Sequence, residues 1–115
     1  MLQVTPDQVA AFRLSRHHLV HPARASELVR VAGDMAGAQA QVLSAAQISL
    51  WARTRGLSVD DVEKALWQDR TLVKSWCIRG ALHLIPSRDF AVFVRGSERR
   101  NARATAWLTR ARIPI

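Results

Sequence analysis

Two glutamines and a surplus of arginine are the side chains here whose types and spacing could do chemistry. Gln39 and Gln41 stand two residues apart in Gly37-Ala38-Gln39-Ala40-Gln41. At roughly 100° per residue such a pair lies about 200° apart around a helix, whereas in an extended chain both point the same way. The two can therefore act together only in a strand or loop. An amide has no pKa to tune and cannot serve as a general base, but its carbonyl accepts and its NH2 donates. That suffices either to hold a water molecule or to support the start of a nearby helix. Of the 17 Lys and Arg residues only Lys64 and Lys74 are lysines, so the basic groups are nearly all guanidinium, which grips phosphate in a two-pronged fork.

Other candidate groups point elsewhere. His17, His18 and His21 are close in sequence, but adjacent histidines face different sides of a helix and the next acid, Glu27, lies beyond the Pro22 turn. No metal site and no cofactor are expected from them. Asp60 and Asp61 follow Ser58 at the spacing of a helix cap, not of a catalytic pair. The single cysteine, Cys77, excludes an internal disulfide and a multi-cysteine zinc site; its apolar surroundings predict a buried, inert thiol.

The elements that must position these groups can be taken in order. Thr5-Pro6-Asp7-Gln8 forms a capping box with proline in the first turn, predicting a helix to about Leu19. Val9, Ala10, Phe12 and Leu14 form its apolar side, and Arg13, Arg16 and His17 a basic strip. Ser26 is expected to cap a short helix through Gly33, with Leu28, Val29 and Val31 in the core. After the glutamines, Leu43, Ala46, Gln47, Leu50 and Trp51 recur at the spacing of a core-facing stripe, assigning Trp51 to the core; Gly56 stops that helix. Its ending, Arg53-Thr54-Arg55, suits the second helix of a helix-turn-helix pair.

Ser58 caps the following helix, where Val59, Val62, Ala65 and Leu66 share one face. Two β-rich runs, residues 72–78 and 81–85, flank Arg79-Gly80 and predict a hairpin. Ser87 is expected to cap a last helix in which Phe90, Phe93, Val94 and Leu108 are buried while Arg95, Arg99 and Arg103 recur every fourth residue. Trp51, Trp67, Trp76 and Trp107 are available as core anchors.

A chain of 115 residues, 49% hydrophobic, has room for one modest core, and a net charge of +8 suits a nucleic-acid partner. No window approaches the apolar length of a membrane span and the first residues lack a signal-peptide pattern, so a cytoplasmic protein is expected. The predicted fold class is mainly α with a small β-hairpin, an α+β winged helix-turn-helix. Residues 1–86 form the predicted winged-helix domain, and residues 87–115 an arginine-rich helix that begins a connection to further units.

Several of these motifs together resemble a known family. Gln39-Ala40-Gln41, Leu50-Trp51-Ala52-Arg53, Ala65-Leu66 after an acidic helix start, and Arg79-Gly80-Ala81-Leu82-His83-Leu84 before Asp89 look like the N-terminal part of the winged-helix DNA glycosylases of the AlkZ/YcaQ type. Arg13-Leu14 through Leu19 and Pro22-Ala23 fit the same pattern. The resemblance implies three tandem winged-helix units, excision of alkylated bases, and unhooking of interstrand crosslinks. It places Gln39 and Gln41 in the role of the glutamine pair that positions the attacking water. Double-stranded DNA is then the partner, with Arg53, Arg55, Arg79, Arg95, Arg99 and Arg103 as its contacts and with no metal required. The length departs from the family, because 115 residues accommodate only the first unit. Two other readings stand beside it: a non-catalytic winged-helix DNA-binding protein, either a regulator or a truncated relic, and a basic protein-interaction module. Oligomeric state is not legible.

Overall fold

The computed structural model describes residues 1–110; the side chains of residues 99–105 and 107–109 lie outside the described set. The first helix, α1 (Pro6–Arg16), is capped as expected: the Gln8 N–H donates to Thr5 Oγ1 at 3.2 Å, and the Thr5 N–H donates to Gln8 Oε1 at 2.9 Å. It ends short of Leu19 because His17 and His18 turn the chain, His18 at φ 58°. Its apolar side is not buried, since no residue of α1 meets the core.

The second helix, α2 (Leu28–Asp34), follows a 3-10 turn, and Ser26 does not cap it. Instead the Glu27 carboxylate takes the Arg24 N–H at 3.1 Å and the Arg30 guanidinium at 2.6 Å. These bonds hold its carboxyl below the usual glutamate value. Leu28 and Val31 are buried as predicted, and Val29 packs against the core.

The described residues include five strands, in chain order β1 (Ala23–Arg24), β2 (Ala38–Gln39), β3 (Thr54–Arg55), β4 (Leu72–Trp76) and β5 (Leu82–Pro86). β1 and β3 form a minimal parallel pair. The hairpin β4–β5 gains a third antiparallel strand, giving the order β2-β5-β4. Its turn closes by an Ala81 N–H to Ile78 carbonyl bond of 3.1 Å with Arg79 and Gly80 both at positive φ, a type I′ geometry that matches strand twist.

Helix α3 (Leu43–Trp51) lies between β2 and β3; α4 (Val59–Glu63) is capped by Ser58 as predicted, and Asp61 closes the cap into a reciprocal box. Helix α2, strand β2, helices α3 and α4, then the hairpin is the winged-helix order. The second helix of the pair is thus α4, not α3: β2 pairs with β5 and sets α2 as the first helix, shifting the count by one. Helix α4 continues into a π turn over Lys64–Gln68, where the Asp69 N–H reaches the Lys64 carbonyl at 2.9 Å.

The core is built from small aliphatics. Val31, Ala32, Ala38, Ala40, Ala46, Leu50, Val62, Leu84 and Ile85 are fully enclosed, because alanines on β2 and α3 let helix and sheet approach closely. Little room remains for large rings. Trp51, Trp67 and Trp76 are 62%, 71% and 59% exposed, contrary to their expected place as core anchors, and Trp107 lies outside the described side chains. Val59, Phe90 and Val94 are exposed as well, and Phe93 is only half-buried; Leu108 is not among the described side chains. Ser87 closes the base of the hairpin instead of capping: its hydroxyl donates to the Arg70 carbonyl at 2.6 Å and its N–H to that of Thr71 at 2.9 Å. Helix α5 (Phe90–Arg110) starts after a further 3-10 turn. Among the described residues, no helix is long and apolar enough to cross a membrane.

Candidate functional site

The glutamine stretch is held extended by its surroundings. Gly37 adopts φ 98°, and a Cβ there would lie 2.8 Å from Ile85 Cγ2, so the turn into β2 demands glycine on both counts. Ala38 then pairs with Leu84 and Gln39 with His83, and the Ala40 N–H donates to the Leu82 carbonyl at 2.7 Å. Alternation buries Ala38 and Ala40 and leaves Gln39 and Gln41 exposed together, as their i, i+2 spacing requires.

Gln41 then substitutes for main chain. Its Oε1 accepts the Leu82 N–H at 2.7 Å, extending the β2–β5 ladder by one side-chain bond. An N–H can only donate, so this bond fixes which end of the amide is oxygen and leaves the Gln41 NH2 group for another partner. Both glutamines border an open hollow of about 360 Å³ completed by Val42, Ala45 and Ser49 of the α3 face. Strand β2 supplies the amides and α3 the opposite wall. Val42, at the start of α3, offers no side-chain cap.

One arginine is tied to this wall. Arg53 Nη1 donates to the Ser49 carbonyl at 2.8 Å and to Ser49 Oγ at 3.0 Å. Its Nε is enclosed without a hydrogen-bond partner, and burial pushes the guanidinium pKa down. Arg55 is exposed on β3, directly opposite Arg24. Arg79 is exposed at the hairpin turn. Arg95 is exposed on α5 with Nε 3.8 Å from Glu98. Arg99 and Arg103 belong to the same helix, but their side chains are outside the described set. Gln39, Gln41 and Arg53 thus converge through Ser49, whereas Arg79 and Arg95 occupy other elements.

His83, opposite Gln39, is half-buried with Nδ1 2.9 Å from the Ala81 carbonyl, so that nitrogen is the donor. His18 Nε2 lies 2.7 Å from Asp34, an acid that sequence distance had hidden from the histidine cluster. Burial raises the Cys77 thiol pKa, as an inert interior position requires. Sequence reasoning missed Ser49 and Arg24. The i, i+4 spacing of Ser49 and Arg53 was a visible signal; the meeting of Arg24 with Arg55 across distant strands had none.

Comparison with known proteins bears on this arrangement. Residues 32–114 match the family model described as DNA glycosylase AlkZ-like. An interstrand DNA cross-link repair glycosylase from Streptomyces sahachiroi is 35% identical over 78 residues, covering 68% of this chain and 20% of that protein. The solved structure of the Streptomyces sahachiroi DNA glycosylase AlkZ is similar with a TM-score of 0.72 at 28% identity, over 80% of this chain and 24% of that one. The chain spans about a fifth of the length of the curated relative it matches.

Proposed function

The chain belongs to the DNA glycosylase AlkZ-like family, and on that premise we propose that it is the DNA-binding winged-helix unit of a cytoplasmic glycosylase excising alkylated or crosslinked bases, with Gln39 and Gln41 positioning the attacking water. The observation that carries the reading is the Gln41–Leu82 bond, which holds one amide rigidly beside the other at an open hollow. A water there can donate to the Gln39 carbonyl and accept from the Gln41 NH2, which orients it without removing a proton.

Neutral amides suit an activated leaving group. An N7-alkylated purine is already cationic, so when the N-glycosidic bond breaks its electron pair neutralises the base without a general acid. Water oxygen then bonds to the oxocarbenium-like sugar carbon and the spare proton passes to solvent. In this reading Arg53, Arg55, Arg79, Arg95, Arg99 and Arg103 contact backbone phosphates, residues 1–86 form the winged-helix domain, and residues 87–115 lead toward further units. Conventional docking of α4 in a major groove fits less well, because its first turn presents Asp60 and Asp61 to a polyanion.

The test is release of 7-methylguanine from duplex DNA by the protein expressed from its full open reading frame. Gln39→Ala and Gln41→Ala should each slow single-turnover release by about 100-fold. Gln41→Glu, which still offers an acceptor to the Leu82 N–H but no amide NH2, separates chemistry from strand pairing and should also be slow. Unchanged release in both alanine variants would end the water-positioning assignment.

A further inference from the structure

Arg24 and Arg55 are directly opposed on the two-residue parallel pair β1–β3, whose other register, Ala23 and Thr54, is buried. Alternation therefore sends both guanidinium-bearing side chains outward on the same side. Side-by-side cations repel, yet neither forms an ion pair with a carboxylate among the described residues. The acid nearest in sequence, Glu27, is taken by Arg30 and by the Arg24 backbone N–H. Arg53 adjoins them: its carbonyl accepts the Ala23 N–H at 3.0 Å, and its guanidinium, short of one partner, rests on Ser49 at the wall of the glutamine hollow.

We propose that Arg24, Arg53 and Arg55 form a clamp for consecutive backbone phosphates of duplex DNA, leading one strand from the β1–β3 corner into the hollow of Gln39 and Gln41. This rests on the reading of the chain as a DNA-binding glycosylase unit and adds Arg24, together with the path of the strand. Arg24 and Arg55 face one another with no carboxylate at ion-pair distance among the described residues, Glu27 acting on the Arg24 charge only through space, and phosphates spaced along a strand match their adjacent forks better than one free ion does. Arg53 acts as the positioning member, because its Ser49 bonds fix the phosphate nearest the glutamines.

The experiment measures affinity for a short duplex by fluorescence anisotropy between about 50 and 200 mM salt, using the protein expressed from its full open reading frame. The double variant Arg24→Gln/Arg55→Gln should weaken binding and make the log–log salt slope shallower by about 2, near one unit per lost phosphate contact. Arg24→Lys/Arg55→Lys, which keeps the charge, should restore most of the slope. A charge-matched control, Arg70→Gln/Arg88→Gln, changes two arginines at the base of the hairpin, the end away from Leu82. It should alter the slope by much less. A slope in the first variant equal to that of the parent protein, or a change no larger than the control's, overturns the clamp. Base release is read separately, so a failed glutamine assignment leaves the slope difference intact, and a failed clamp leaves the glutamine result intact.

Discussion

Helix α1 and strand β2 invert the usual relation between local signal and structural weight. The first has the clearest start in the chain, a reciprocal capping box with proline in the first turn, and among the described residues puts no side chain fully in the core. The second is two residues long and has no strand-like composition, yet its Ala38 and neighbouring Ala40 are completely enclosed beneath β5 and α3. Capping decides whether a segment starts a helix; only a facing surface decides whether that helix matters to the fold. A strand, conversely, can be imposed from outside by a partner 40-odd residues away in sequence, as the Gln41–Leu82 bond shows.

The strongest challenge to that contrast is Leu84→Ala, which empties a fully buried position paired with Ala38. A loss of about 3 to 4 kcal/mol in urea unfolding is expected. A loss below about 1 kcal/mol would mean the β2–β5 region does not carry the core. Gly37→Ala comes next: a Cβ at positive φ pressed on Ile85 should cost about 2 to 3 kcal/mol by the same measurement.

Smaller is the effect of acid on α4, a helix with the same kind of cap as α1 but with a buried side. Ser58 donates its N–H at 2.8 Å and its hydroxyl at 2.9 Å to Asp61, holding that carboxyl below its ordinary value. The folded pKa is depressed, so this contribution is complete above the unfolded value near 4 and is lost as pH falls through the folded value. Asp61→Asn should flatten that acid limb in a pH series of unfolding curves. Smallest of all is Phe12→Ala on α1, where the ring is 66% exposed. Its unfolding midpoint should move by less than about 0.5 kcal/mol; a core-sized loss would show that α1 is packed after all.

The Thr5–Gln8 capping box, the Ser58 cap, the hairpin at Arg79-Gly80, the extended glutamine pair and the α+β winged-helix class were legible because each depends on neighbours within a few residues or on alternation. The exposure of Trp51 was not, since periodicity reports which side of a helix is apolar and not what faces it. The place of α3 within the helix pair was misread for a related reason: β2 has only two residues, and without it the helices are counted from the wrong start. Strands β1 and β3 are equally short, so the meeting of Arg24 and Arg55 depends on chain closure alone. For Ser49 and Arg53 the spacing was plain, but nothing in it told a bonded pair from two independent surface groups.

The Gln41–Leu82 bond also determines when order is imposed on the site. A free glutamine surrenders rotamer freedom worth about 1.5 to 2 kcal/mol when it is immobilised. Here that entropy is given up as the sheet forms, before any ligand arrives, because the amide oxygen is already bonded to β5. Under the proposed function, the hollow would meet a substrate with one amide frozen and only Gln39 left to settle, so a conformational search at the moment of binding would be cut to a single side chain.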